Sequence, residues 1–181
     1  MEKSKAKKIA MLGIFTALVV LLQCLGGFFV IGGLSLSFVL VPIVLAAVVF
    51  GVWAGAALGF IFSFVVFLYG LLGLEPFTAF LLNDYTVMAV ITIFLKGIAA
   101  GTVAGLVYKL LKNKNEYVAV VCAAVCAPIV NTGIFMICVL IMGDAVLSLL
   151  SIGVLFNFLI ELAINVVLAP SLYRVIKVVK I

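Results

Sequence analysis

The chain contains no histidine, which removes the side chain most often used as a general base or metal ligand near neutral pH. Charge is scarce too. Eleven basic and six acidic residues make up 9% of the sequence, against about 25% in soluble domains. There is no Gly-x-Ser-x-Gly elbow, no pair of aspartates within an apolar run and no glycine-rich phosphate loop ending in Lys-Ser or Lys-Thr. The hydrolytic and nucleotide chemistries that need those groupings are excluded. An enzyme is not expected, and any coupling to ATP has to come from partner subunits. The four cysteines, Cys24, Cys122, Cys126 and Cys138, lie in apolar runs. Cys122 and Cys126 share a helix face, but they lack the histidines or carboxylates that complete the usual metal sets. They read as small packing residues, and neither metal nor cofactor is expected.

What is abundant is apolar. Of the 181 residues, 69% are hydrophobic, and the mean hydropathy is +1.56. A globule of this size cannot bury so much apolar surface, so lipid has to solvate part of it. The net charge of +5 is compatible with nucleic acid, but the placement of the charges points to membrane topology, and no nucleic-acid partner is expected.

Six apolar runs cover about 8–26, 36–50, 53–72, 86–111, 117–142 and 151–176. About 20 residues of helix cross the hydrocarbon of a bilayer. The second run is short and contains Pro42, and the fourth is long enough to tilt. The expected fold is an all-α integral membrane protein, a six-transmembrane-helix bundle forming a single membrane domain over residues 1–181. Lys3, Lys5, Lys7 and Lys8 cluster at the start of the first run, Lys109, Lys112 and Lys114 at the end of the fourth, and Arg174, Lys177 and Lys180 at the end of the sixth. Glu75, Asp84 and Asp144 occupy the alternate connections. Six crossings put every basic cluster on one side, and the positive-inside rule makes that side cytoplasmic, with both termini cytoplasmic. The lysine-rich start followed by an apolar stretch mimics a secretory signal, but no small-x-small cleavage site follows. In Leu21-Leu22-Gln23-Cys24 a glutamine stands where a lipoprotein signal wants a small residue. Residues 9–25 are expected to be a retained first span.

Glycines recur every four residues at Gly51, Gly55 and Gly59, and again at Gly97, Gly101 and Gly105. Small residues at that spacing let helix backbones approach closely, and internal packing is the expected use. Ala10, Gly13 and Ala17 form a similar patch on the first span, where a contact with another subunit is equally open. Between the first two runs, glycines 26, 27, 32 and 33 bracket Phe28 and Phe29, a composition suited to a lid or a short hairpin on the outer side.

Only Lys96 and Glu161 carry charge away from the ends of the long apolar runs. A charge at mid-membrane costs about 2.5–3.5 kcal/mol on insertion scales, so it is usually paired, turned inward and functional. Counted from the outer ends of their spans, Lys96, Asn131 and Glu161 all lie some 15 Å deep at 1.5 Å per residue. Asn157, Glu161 and Asn165 form one stripe at a spacing of four, and Thr132 adds a hydroxyl. One alternative is a Lys96–Glu161 pair that only fixes packing. The other is a binding site for a zwitterionic or polar solute, or for an acid whose carboxylate meets Lys96.

Several segments carry a family resemblance: Val41-Pro42-Ile43-Val44-Leu45-Ala46, Phe50-Gly51-Val52-Trp53-Ala54-Gly55-Ala56, Lys96-Gly97 with Ala100-Gly101, Ala127-Pro128-Ile129-Val130-Asn131-Thr132-Gly133, and Asn157 to Asn165 around Glu161. In this order, with six runs and this size, the chain resembles the substrate-binding S component of energy-coupling factor (ECF) transporters over nearly its whole length. The resemblance implies a vitamin-uptake subunit of the bacterial plasma membrane that works with a transmembrane coupling protein and two ATPases. It implies capture of a small solute near the outer face under the loop joining the first two helices, then toppling of the protein to release it inward. It also implies that Ala10, Gly13 and Ala17 contact the coupling protein. Related members often carry Pro-Arg where this chain has Leu95-Lys96, and the two cations are not interchangeable in carboxylate recognition. The rival expectations are an ion-coupled secondary carrier using Lys96 and Glu161 as a relay, and a non-transporting membrane scaffold.

Overall fold

A computed structural model describes residues 2–28, 30–31, 34–35, 38–149 and 153–178. The order of elements is α1 (Glu2–Gly26), β1 (Val30–Ile31), β2 (Leu34–Ser35), α2 (Leu40–Phe50), α3 (Val52–Leu71), α4 (Pro76–Asp84), α5 (Thr86–Leu111), α6 (Glu116–Met142), α7 (Asp144–Leu149) and α8 (Gly153–Val178). Five of the described helices are long and apolar enough to cross a membrane: α1 from Lys8, α3, α5, α6 and α8. Outside the helices, β1 and β2 form an antiparallel hairpin with Val30 opposite Ser35 and Ile31 opposite Leu34. The expected starts of the second and sixth runs, at 36 and 151, lie outside the described residues.

The second apolar run becomes an 11-residue helix, roughly 16 Å long at 1.5 Å per residue, about half the hydrocarbon thickness. Every residue of α2 from Leu40 to Val48 is buried. It packs against α1, α3, α5, α6 and α8, so it is the central strut of the bundle. A helix that is apolar all round is stable only when surrounded, and its neighbours supply that enclosure. Gly51, with φ +97°, turns the chain from α2 into α3 in a single residue, a backbone conformation that glycine adopts at little steric cost. Two further helices, α4 and α7, form in segments that the sequence reading left as connections.

The two glycine series meet each other. A Cβ built on Gly59 would overlap the Gly97 carbonyl, and one on Gly101 would overlap the Gly55 carbonyl. The backbones of α3 and α5 are thus in direct contact, and Ser63 Oγ donates to the Ile93 carbonyl across the same seam at 2.7 Å. Overpacking a well-packed core costs about 1–3 kcal/mol, and more where the obstacle is backbone. Gly59→Leu is therefore expected to abolish recovery of a monodisperse, detergent-stable protein by size-exclusion chromatography. Gly13→Leu, at a position where a Cβ meets nothing within 4 Å, is expected to elute as the native chain does.

At one end of the bundle the Asn115 side chain caps α6 by accepting from the Val118 amide at 3.1 Å. Beside it Lys177 pairs with Glu116, and Tyr173 donates to the same carboxylate. These contacts draw the ends of α5, α6 and α8 together with their basic residues. Asp84 and Asp144 lie exposed at the opposite end.

Candidate functional site

A polar cavity opens within the bundle, toward the end that carries α4. Its walls are Gln23 from α1, Phe62 and Val66 from α3, Glu75 from the turn into α4, and Lys96 from α5. Asn131, Thr132 and Phe135 come from α6, and Val154, Asn157, Phe158 and Glu161 from α8. Helical periodicity does the assembling. Asn157 and Glu161 are one turn apart, as are Asn131 and Phe135, so each pair presents side chains on one face.

Most of these polar groups are deeply enclosed. Asn131 is 6% exposed, Asn157 8%, Glu161 4% and Glu75 6%. Lys96 is half-buried, and its ammonium lies over the rings of Phe135 at 5.2 Å and Phe62 at 5.9 Å. Such placement over an electron-rich ring face contributes about 0.5–2 kcal/mol, depending on desolvation. Phe135 is held in turn by an edge contact with Phe77 of α4, at 6.0 Å between ring centres. Asn131 Oδ1 is buried and has no hydrogen-bond partner among the described residues.

The structure brings together Lys96, Asn131, Thr132, Asn157 and Glu161. It leaves out Asn165, whose side-chain amide donates to the Glu161 carbonyl at 2.8 Å and whose side chain is fully buried behind the lining. Two polar wall residues escaped the sequence reading, as did the apolar Phe62, Val66, Phe135, Val154 and Phe158. Glu75 was read there only as an outer connection charge, but it is turned inward. It occupies the N-cap position of α4 without capping the helix, and its Oε2 accepts instead from Thr78 Oγ1 at 2.6 Å. The signal that could have found it is Glu75-Pro76, an acid before a proline at the first helical position. Gln23 is 2% exposed. Its presence as the polar residue in an apolar stretch of α1 was a signal read only against a lipoprotein signal.

The other expected positions lie elsewhere. Ala10, Gly13 and Ala17 are exposed on the outer face of α1. Phe28 is 82% exposed, and Phe29 lies outside the described residues. The backbone of the β1–β2 hairpin rests against α8 and α4, at the end of the bundle where the cavity lies.

The cavity encloses about 50 Å3, whereas small-molecule sites usually measure about 300–1,000 Å3. Admitting an organic solute requires its walls to move apart. What the lining can do chemically is hold a solute by hydrogen bonds and charge between aromatic walls.

No curated protein and no solved structure matches the chain. A protein-family model described as "ECF transporter, substrate-specific component" matches residues 7–173, a stretch that contains every wall residue of the cavity. The chain therefore belongs to the substrate-specific components of ECF transporters, and it is a multi-pass membrane protein with a substrate-binding role.

Proposed function

We propose that this chain captures a vitamin or similar small polar solute from the outer face of a bacterial plasma membrane and passes it inward with a transmembrane coupling protein and two ATPase subunits. The solute sits among Lys96, Asn131, Thr132, Asn157 and Glu161, with Gln23 and Glu75 completing the wall. The observation that carries this reading is Asn131 Oδ1, buried on a cavity wall without a hydrogen-bond partner among the described residues. A buried acceptor without a donor costs about 1–3 kcal/mol, and a solute N–H or O–H removes that cost. The segment between α1 and α2, with Phe28 and the β1–β2 hairpin, closes over the bound solute. Ala10, Gly13 and Ala17 form the docking face for the coupling protein, and ATP is hydrolysed by the partners alone.

Reconstitution tests this against the rival mechanisms. In vesicles holding the chain, its coupling protein and both ATPases, uptake is expected to require internal ATP and to survive an uncoupler. Uptake by the chain alone that an uncoupler abolishes would identify an ion-coupled carrier instead.

The orientation is also testable. With the native cysteines removed, a cysteine introduced by Lys112→Cys is expected to be shielded from an impermeant thiol reagent in intact cells. Asp84→Cys and Asp144→Cys are expected to react. The sign alternation of the connections motivates this assignment, and labelling at position 112 from outside would overturn the outer-face reading.

A further inference from the structure

We infer that the cleft between α1 and α8 holds an acyl chain of an anionic phospholipid, with the lipid headgroup at Lys8. Both helices pack against α2, which floors the space between them. The cleft encloses about 420 Å3, within the range of about 300–1,000 Å3 usual for small-molecule sites. Its lining consists of Phe, Leu, Val and Pro side chains alone. Phe15 of α1 with Val41 and Leu45 of α2 form the buried floor, and Leu18, Leu168 and Leu172 stand exposed along the rim. Both walls belong to helices long and apolar enough to cross a membrane, so the rim meets lipid. A solute arriving from water would strand its polar groups in such a cleft. Left empty, the cleft forfeits dispersion contacts along its lining. An acyl chain fills it with no polar group to desolvate.

The charge beside the cleft selects the headgroup. Lys8 precedes Phe15 by seven residues, as Phe15 precedes Leu22, so the three lie along one face of α1. Seven residues at 1.5 Å each put Lys8 about 10 Å from Phe15 along the axis, at the start of the span. Lys8 is exposed, and among the described residues it makes no ion pair. The cations on the α8 side are engaged elsewhere: Arg174 lies over the Tyr117 ring at 5.0 Å, and Lys177 pairs with Glu116. A phosphate at the membrane surface therefore meets Lys8 while its chain descends past Phe15 and Leu22. Basic sites between spanning helices take anionic headgroups by the same attraction. A helix of another protein fits the cleft less well. Close helix contact needs small residues, and those of α1, Ala10, Gly13 and Ala17, are exposed on the opposite face, whereas leucines form the rim.

The test uses the full chain, delipidated in mild detergent and titrated with phosphatidylglycerol or phosphatidylcholine of identical acyl chains. Native mass spectrometry reads the bound lipid, and the thermal unfolding midpoint reads its effect. One phosphatidylglycerol per chain is expected, with a raised midpoint, and phosphatidylcholine is expected to bind at least tenfold more weakly. Leu168→Trp, whose indole occupies the cleft, is expected to fold and to lose the bound lipid. If that variant is not recovered, Leu172→Trp is measured in its place, with the same expectation. Lys8→Gln, an exposed substitution, is expected to bind both lipids alike, at the level the native chain shows for phosphatidylcholine. Equal binding of the two lipids by the native chain would overturn the inference, as would undiminished phosphatidylglycerol binding by the folded tryptophan variant or by Lys8→Gln. Absence of bound lipid would overturn it too, and loss of the coupling protein from Leu168→Trp would then identify the cleft as a helix seat. None of these outcomes bears on solute binding in the polar cavity.

Discussion

Gly13→Trp and Ala17→Trp are each expected to abolish ATP-dependent uptake and co-purification with the coupling protein, while solute binding by the isolated chain persists. The expectation follows from which way α1 faces. Phe15, Val19 and Gln23 are its buried positions, and Phe15, Leu18 and Leu22 line an apolar groove against α2 and α8. At 100° per residue, Ala10, Gly13 and Ala17 project from the opposite side of the helix. All three are exposed, and no atom within 4 Å would obstruct a Cβ at Gly13. Small side chains leave the backbone accessible, and close approach of a second helix gains dispersion contacts that lipid tails match poorly. An indole at either position holds that helix away without touching the chain's own packing. The effect on uptake is thus expected to be complete, and the effect on the unfolding midpoint small. Loss of solute binding in both variants would mean that the face is needed within the chain, and normal uptake would place the coupling contact elsewhere.

Glu161→Gln and Asn131→Ala are each expected to weaken solute binding at least tenfold, about 1.4 kcal/mol, with folded protein recovered at native yield. Both residues are almost wholly buried on the cavity wall. Glu161→Gln preserves shape and removes charge, so its effect reports electrostatics. Asn131→Ala removes an acceptor that has no internal partner among the described residues, so little native structure depends on it. Hydrogen bonds to charged groups contribute about 1.5–3 kcal/mol, which puts the Glu161 effect at or above the tenfold line. Equilibrium titration with the co-purifying solute measures both. Native affinity in the two variants would make the polar wall structural and defeat the proposed site.

How far the site could be read from the sequence depended on regular helices. Lys96, Asn131 and Glu161 sit in three long helices of constant rise, so counting residues from the span ends put them at one depth, and all three line the cavity. The same arithmetic misled at Asn165. Its spacing of four from Glu161 places it on the same stripe, but one turn further on the bundle has closed and its amide bonds backwards. Glu75 escaped because α4 is a nine-residue helix without a crossing of its own, and charge outside a span reads as solvated until tertiary packing turns it inward. Gln23 escaped because one amide in an apolar helix has no periodic partner. The shortness of α2 was partly visible in its length and in Pro42. Its complete burial was not, since encirclement by five helices is a property of the assembled bundle. The glycine series announced close packing but not that each would seat on the other.

The central claim is that the cavity between α3, α5, α6 and α8 holds the transported solute. Native mass spectrometry of the chain, purified after growth in rich medium, tests it most directly. The predicted result is one solute mass bound per chain, retained in Gly13→Trp and lost in Glu161→Gln and Asn131→Ala. A bare chain, or the same bound mass at the same occupancy in all four proteins, would contradict it.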